Sequence, residues 1–421
     1  MLRIGTCPSK VKSFFRPLQP SFANRPAWGH FWRLVMSICV CSGAMTLDRL
    51  TRAMRSPCHR TKHGEFLWKS EWDRAWVVQA IALDTLRRLY RPDGGPVYFI
   101  IDETQTIKRA KKMQGVGKLY HHATRRFCTG HTMLKVCLYY RGVTLPWGCW
   151  LYVKKEDCPK LKVHFATLTD LAAEAIRQAN LPRSLAGQVV VLFDAYYLCP
   201  KVTEACRARG WHFIGVGKSN RNLRVDGVDH TLKLGSYGRN VLARSGRWHV
   251  IQGLKGKGTY RLAERVGHMK KLGQVKVVFS KRKGESKIVA LVTDDLQAAA
   301  RSVVADYLKR WAIELLIKDE KQQLEGKAKP YPGLGDYRVL RYEAVVRHLH
   351  LVDCAYGCLT HAGLKHLREQ GETKNKVLHL PPISQLKTTM RQMIWQQAVE
   401  DVIKQSHERA VIRRVEMLRA A

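Results

Sequence analysis

Apolar residues recur at helical spacing through residues 26–90, where Trp68, Trp72, Trp76, Ile81 and Leu86 are set among the polar positions Asp84, Arg87 and Arg88. That period predicts amphipathic helices and a helical N-terminal region over 26–95. Ahead of it, residues 1–25 carry Pro8, Pro17 and Pro20 among basic residues and are expected to form a flexible basic arm. The run Arg91-Pro-Asp-Gly-Gly-Pro96 ends the helical pattern, because Pro and Gly punctuate regular structure, and it marks a domain boundary.

Beyond this breaker the period changes to short apolar runs. Val97 to Ile101 reads as a strand ending at Asp102. Thr132 to Tyr140 and Val143 to Val153 read as two more strands, turning at Arg141-Gly142. His164 to Ala179 reads as a helix, Val189 to Phe193 as a buried strand ending at Asp194, Pro200 to Arg209 as a helix and Trp211 to Val216 as a strand. Residues 96–217 are therefore expected to form an α/β core. Residues 218–295 are Gly- and Lys-rich with short strand-like runs, clearest at Val275 to Phe279 and Ile288 to Thr293, and read as a β-rich insertion. A long helix from about Leu296 to Leu324 follows, within a unit spanning 296–330. Residues 331–421 read as helical again, split near Pro381-Pro382. There is no internal repeat, and no helix-turn-helix is recognisable in residues 26–90.

The composition is that of a globular chain, 45 % hydrophobic and 25 % charged, but Lys plus Arg number 73 against 34 Asp plus Glu, a formal net charge of +39. An excess of this size repels itself unless a polyanion is near. The basic residues are spread along the chain, which points to a nucleic-acid surface built by the folded body rather than by a tail. The 12 cysteines show no C-x-x-C pair, so neither a zinc ribbon nor a disulfide framework is expected, and reduced thiols in a cytoplasmic protein are. The apolar stretch Leu34 to Leu47 is too short to span a bilayer and reads as a buried helix; no membrane association is expected.

Three acids stand where chemistry needs them. A carboxylate at the C-terminal end of a central strand faces the crevice of the sheet, and Asp102 and Asp194 each end such a strand. On a helix turning about 100° per residue, Tyr307, Arg310, Glu314 and Lys321 fall within an arc of about 60°. A carboxylate, two cations and a tyrosine hydroxyl on one face suit a metal ion and a phosphate backbone. Three carboxylates make a hard, oxygen-only site for Mg²⁺ or Mn²⁺, and two such ions about 4 Å apart promote in-line phosphoryl transfer. Taken singly, each aspartate also fits a turn or cap residue, and Glu314 fits a pair with Lys318 at i+4. Glu103 points away from Asp102 if the strand continues, and ranks below it as a ligand. The run Lys108, Arg109, Lys111 and Lys112 either tracks a DNA backbone or forms a solvated loop. His121, His122 and His131 are expected to have phosphate-binding or structural roles.

The spacing Y-(2)-R-(3)-E-(6)-K, met at Tyr307, Arg310, Glu314 and Lys321 with Trp311 after the arginine, resembles the signature of bacterial insertion-sequence transposases with a DDE triad. Ile100-Ile-Asp102-Glu-Thr104 looks like that family's first-aspartate motif and Val191-Leu-Phe-Asp194-Ala-Tyr-Tyr197 like its second. The resemblance implies a ribonuclease-H-like mixed-sheet catalytic core, a β-rich insertion before the third acid, and helical regions on either side. It implies two Mg²⁺ or Mn²⁺ ions held by Asp102, Asp194 and Glu314, cleavage of transposon ends and joining of their 3′ ends to target DNA. It implies double-stranded DNA as partner, a homodimer on that DNA, and a bacterial, nucleoid-associated setting. Tyr307, Arg310 and Lys321 would touch end phosphates, and Trp248 in the insertion would stack on a flipped base or else belong to the insertion's core. A catalytically silent DNA-binding relative, or a nuclease of the same fold, remains the alternative.

Overall fold

The computed structural model describes residues 13–41, 45–54, 56, 58–109, 112–121, 125–182, 184, 188–225, 230–324 and 337–404. Its N-terminal helices are α1 (Arg25–Val40), α2 (Leu47–Ala53), α3 (Arg60–Lys69) and α4 (Arg74–Leu89). Capping is local: the Asn24 side chain accepts from Ala27 N at the start of α1, and Asp73 accepts from Trp76 N at the start of α4. Each satisfies an amide that the helix itself leaves unpaired. Residues 13–22 correct the expected arm. Phe15, Leu18 and Phe22 are buried, and Phe22 stacks on Trp72 with ring centroids 5.4 Å apart. The three prolines hid an apolar spacing that docks this segment on the helices.

The core follows as β1 (Val97–Ile107), β2 (Gly117–His121), β3 (Arg126–Tyr140), β4 (Val143–Tyr152), α5 (Leu168–Arg177), β5 (Val189–Phe193), α6 (Pro200–Ala208) and β6 (His212–Gly217). The pairing order β4-β3-β1-β5-β6 has β4, β3 and β1 antiparallel and β1, β5 and β6 parallel. This is a mixed sheet of ribonuclease-H-like form. The insertion contributes β7 (Asn222–Val225), β8 (Leu232–Lys233), α7 (Leu234–Ser245), β9 (Arg247–Gly253), β10 (Gly256–Met269), β11 (Gly273–Arg282) and β12 (Ile288–Thr293). It is not a separate sheet: β12 pairs antiparallel with β6, and β11 and β10 extend the core outward from there.

Pleat parity decides which face each core residue meets, because successive strand residues point to opposite sides. Phe99, Ile101, Val191 and Phe193 pack with Ala172 and Ile176 of α5 and Val202 of α6 on one face. Tyr98, Ile100 and Leu192 pack on the other, against Ala312, Ile313 and Leu316. Covering both faces explains why these strands read as unbroken apolar runs.

The expected single long helix after the insertion is interrupted. It comprises α8 (Ala300–Tyr307), a 3₁₀ turn at Leu308–Arg310, α9 (Trp311–Asp319) and a π-helical turn at Glu320–Leu324. The chain then returns as α10 (Tyr342–Glu369), buried along most of its length, and α11 (Ile383–Lys404), with the expected break at the paired prolines. Among the described residues no helix is long and apolar enough to cross a membrane.

Candidate active site

Asp102 continues the parity of Tyr98 and Ile100, and Asp194 continues that of Leu192. Both carboxylates therefore point to the face on which α9 lies. Extending the parallel register Ile100↔Leu192 by two residues sets Asp102 beside Asp194 on neighbouring strands, which run roughly 4.8 Å apart. One oxygen of each is fixed by backbone: Asp102 Oδ1 accepts from Glu103 N at 3.0 Å, and Asp194 Oδ1 from Tyr196 N at 2.8 Å. Glu103 has the opposite parity, and its Oε2 accepts from the Tyr197 hydroxyl at 2.8 Å on the other face.

Arg310 joins the strand to the helix. Its Nη1 donates to Asp102 Oδ2 at 2.7 Å and its Nη2 donates to Glu314 Oε1, so one guanidinium spans the first and third acids. Asp102 and Arg310 are each 18 % exposed and Glu314 29 %. Burial pushes the Asp102 carboxyl up to about 6; Glu103 and Asp194 add to this, and Arg310 opposes it. Burial works against the Arg310 charge, but Tyr307, Asp102 and Glu314 hold it above its usual value. The Tyr307 hydroxyl is pushed up to about 12, chiefly by burial, with Asp194 and Asp102 also raising it and a hydrogen bond with Arg310 opposing. Lys321 Nζ, past the π-helical turn, donates to Thr104 Oγ1 at 2.7 Å and Gln105 O at 3.2 Å on β1. The four positions expected on one helix face thus line up along the same end of β1.

The donor chemistry suits a divalent ion: carboxylate oxygens outnumber the one guanidinium that spans them, and hard cations take oxygen ligands. Among the described residues, however, no three His, Cys, Asp or Glu side chains stand in ready metal-ligating geometry. Arg310 lies between Asp102 and Glu314 instead.

The other expected contacts divide. Trp248 on β9 is 52 % exposed, not core of the insertion. Trp311 is half-buried, with Lys255 Nζ 2.9 Å from its ring centroid. Arg109 and Lys112 are exposed, whereas Lys111 and His122 lie outside the described residues. Lys108 is a correction: it is buried, its Nζ donates to Tyr337 O at 3.0 Å and lies 3.1 Å from that ring's centroid. Its parity turns it inward, so it holds Tyr337 rather than tracking DNA. His131 is buried between the Tyr337 hydroxyl at 2.6 Å and Gln114 O at 2.9 Å.

A second charged cluster escaped sequence reasoning. Lys135 sits directly opposite Asp102 in the β1–β3 ladder. Its Nζ donates to Glu320 Oε1 at 2.8 Å and to Asp353 Oδ1, and all three side chains are almost fully buried. Glu320 Oε2 and Asp353 Oδ2 have no donor partner. Burial and the Asp353 charge raise Glu320 well above the usual carboxyl range. A proton kept on Glu320 removes one of the buried charges from the trio. The signal was present as lone charges inside apolar runs, Met133-Leu-Lys135-Val-Cys137 and Leu351-Val-Asp353-Cys-Ala355.

The mixed sheet thus sets two strand-end aspartates on the face covered by one helix. The chain belongs to the family described as DDE superfamily endonuclease, whose model matches residues 17–261. The matched span holds Asp102 and Asp194 and ends before Glu314. No curated protein matches the chain at a significant level. Endonucleases of this superfamily generally depend on divalent metal and act on DNA.

Proposed function

We propose that the chain is an insertion-sequence transposase that cuts the ends of its element and joins the freed 3′ ends to target DNA. Shared parity carries this reading: Asp102 and Asp194 face the helix bearing Glu314, and Arg310 ties that helix to Asp102. Asp102, Asp194 and Glu314 would hold Mg²⁺ or Mn²⁺, which supply charge to activate the nucleophile and stabilise the leaving oxygen. Arg310 and Tyr307 lie against these acids and Lys321 lies further along β1, and the three would orient a scissile phosphate. Trp248, Arg109 and Lys112 would meet the DNA on either side. The protein would act as a homodimer bringing two ends together in a bacterial cytoplasm. Nicking of supercoiled plasmid carrying the element's ends tests the reading: wild type nicks in Mg²⁺ and Asp194→Asn does not. Equal nicking by both would exclude it.

The ion pairs that Arg310 makes with Asp102 and Glu314 favour a second reading, a DNA-binding protein that has lost metal chemistry. End-DNA protection in a footprint, without cleavage at any divalent-ion concentration, would select it.

A further inference from the structure

The β2–β3 hairpin has no part in the acid site, yet its outer face is built unlike the rest of the sheet. Tyr120 pairs with Phe127, and Lys118 with Thr129, so these four side chains share one face of the ribbon. All four are exposed, whereas Leu119 on the opposite face is buried. Phe127 is 67 % exposed, more than any other large hydrophobic residue described. It is held by Tyr120, edge-on with centroids 5.3 Å apart, and by Lys118, whose Nζ lies 4.8 Å from its ring centroid. Phe127, Tyr120 and Lys118 thus form one ordered aromatic and cationic surface open to solvent.

The surroundings say what stacks there. From Thr104 to Lys155 the sequence contains no aspartate or glutamate, and Arg109, Lys112, Arg125 and Arg126 are all exposed near the hairpin or the strand leading to it. A cationic strip around an aromatic platform is complementary to single-stranded nucleic acid, whose bases offer π-faces and whose phosphates offer charge. The hairpin is an extension of β1 and β3, the strands that carry Asp102 and its partner Lys135. From Lys135 to Phe127 is eight residues of β3, at most roughly 26 Å along the strand. A DNA strand held at the acid site would therefore come within reach of this surface.

Resting on the DNA-cleaving reading, we propose that Phe127, Tyr120 and Lys118 form a binding site for unpaired bases, stacking the single-stranded DNA exposed beside the cut. Fluorescence anisotropy on the full chain tests it, with labelled oligo(dT) and a labelled blunt duplex of mixed sequence. Phe127→Ala should weaken oligo(dT) binding by about 5- to 100-fold, the equivalent of one lost base stack, and leave duplex binding within about twofold. Phe127→Trp should restore it. Lys118→Gln should weaken both probes and flatten the salt dependence. Phe127 is too exposed for its loss to unfold the chain, and an unchanged melting temperature checks this. Unchanged oligo(dT) affinity in Phe127→Ala overturns the proposal and leaves the DNA-cleaving reading intact, as does a wild type that binds duplex alone. A change in oligomeric state without a change in DNA binding overturns it in favour of a self-association surface. A wild type that binds neither probe overturns both.

Discussion

Two clusters, each of two acids and one base, lie on the same face of the β1–β3 ladder, and they differ in one respect. Asp102, Arg310 and Glu314 keep some exposure at the end of the parallel strands. Lys135, Glu320 and Asp353 are sealed between the strand, the π-helical turn and the helix α10 that carry them. A sealed cluster cannot exchange partners without exposing charge to the apolar interior, so it fixes position. An accessible one can trade its guanidinium for a cation from solution. Similar chemistry therefore serves anchoring in one place and, on the proposed reading, catalysis in the other. The two clusters adjoin in the chain and across the sheet: Glu320 begins the π-helical turn after α9 and is followed at once by Lys321, and Lys135 faces Asp102 across the ladder.

The comparison breaks most sharply if the clusters exchange phenotypes. Asp102→Asn and Glu314→Gln are expected to lower DNA nicking by on the order of 10³-fold or more with little change in melting temperature. Lys135→Met should do the reverse, removing about 3–5 kcal/mol of stability in denaturant unfolding because it leaves buried carboxyls without their cation. Replacing the whole trio by Lys135→Met, Glu320→Leu and Asp353→Leu should recover most of that loss. Failure to recover would mean the trio does more than neutralise itself. A finer test is Tyr98→Phe. The Tyr98 hydroxyl donates to Asp306 at 2.6 Å and accepts from Lys309 Nζ at 2.7 Å, so its loss should cost about 0.5–1.5 kcal/mol.

One further effect, confined to acid pH, concerns neither cluster. His63 is buried in α3, 3.1 Å from His30 Nδ1 and 2.9 Å from Ser56 Oγ. Burial first, then His30 and Arg33, lower it to about 4 from 6.5. Between those values the unfolded chain binds a proton that the folded chain does not, so stability falls as pH drops from 6.5 toward 4. His63→Gln should flatten the slope of the unfolding midpoint against pH in that window.

Strand-end acids were legible because parallel strands buried on both faces write themselves as apolar runs, and the residue that ends the run is forced to the crevice. The helix face was legible too, since Tyr307, Arg310 and Glu314 do meet, although the 3₁₀ and π-helical turns that adjust them leave no periodic trace. What stayed hidden depends on pairing between distant residues. Lys108 reads as part of a basic run until its parity and Tyr337 turn it inward. Residues 13–22 read as part of a flexible basic arm over 1–25 until Phe15, Leu18 and Phe22 find the helices. The insertion reads as a separate unit because nothing in β12 announces that it will pair with β6.

Titration calorimetry of Mn²⁺ on the full chain and two variants separates a metal ligand from a buried anchor. Wild type should bind the ion, Glu314→Gln should weaken binding at least about tenfold because a carboxylate oxygen is lost, and Glu320→Gln should leave it unchanged. Equal binding by wild type and Glu314→Gln would contradict the account.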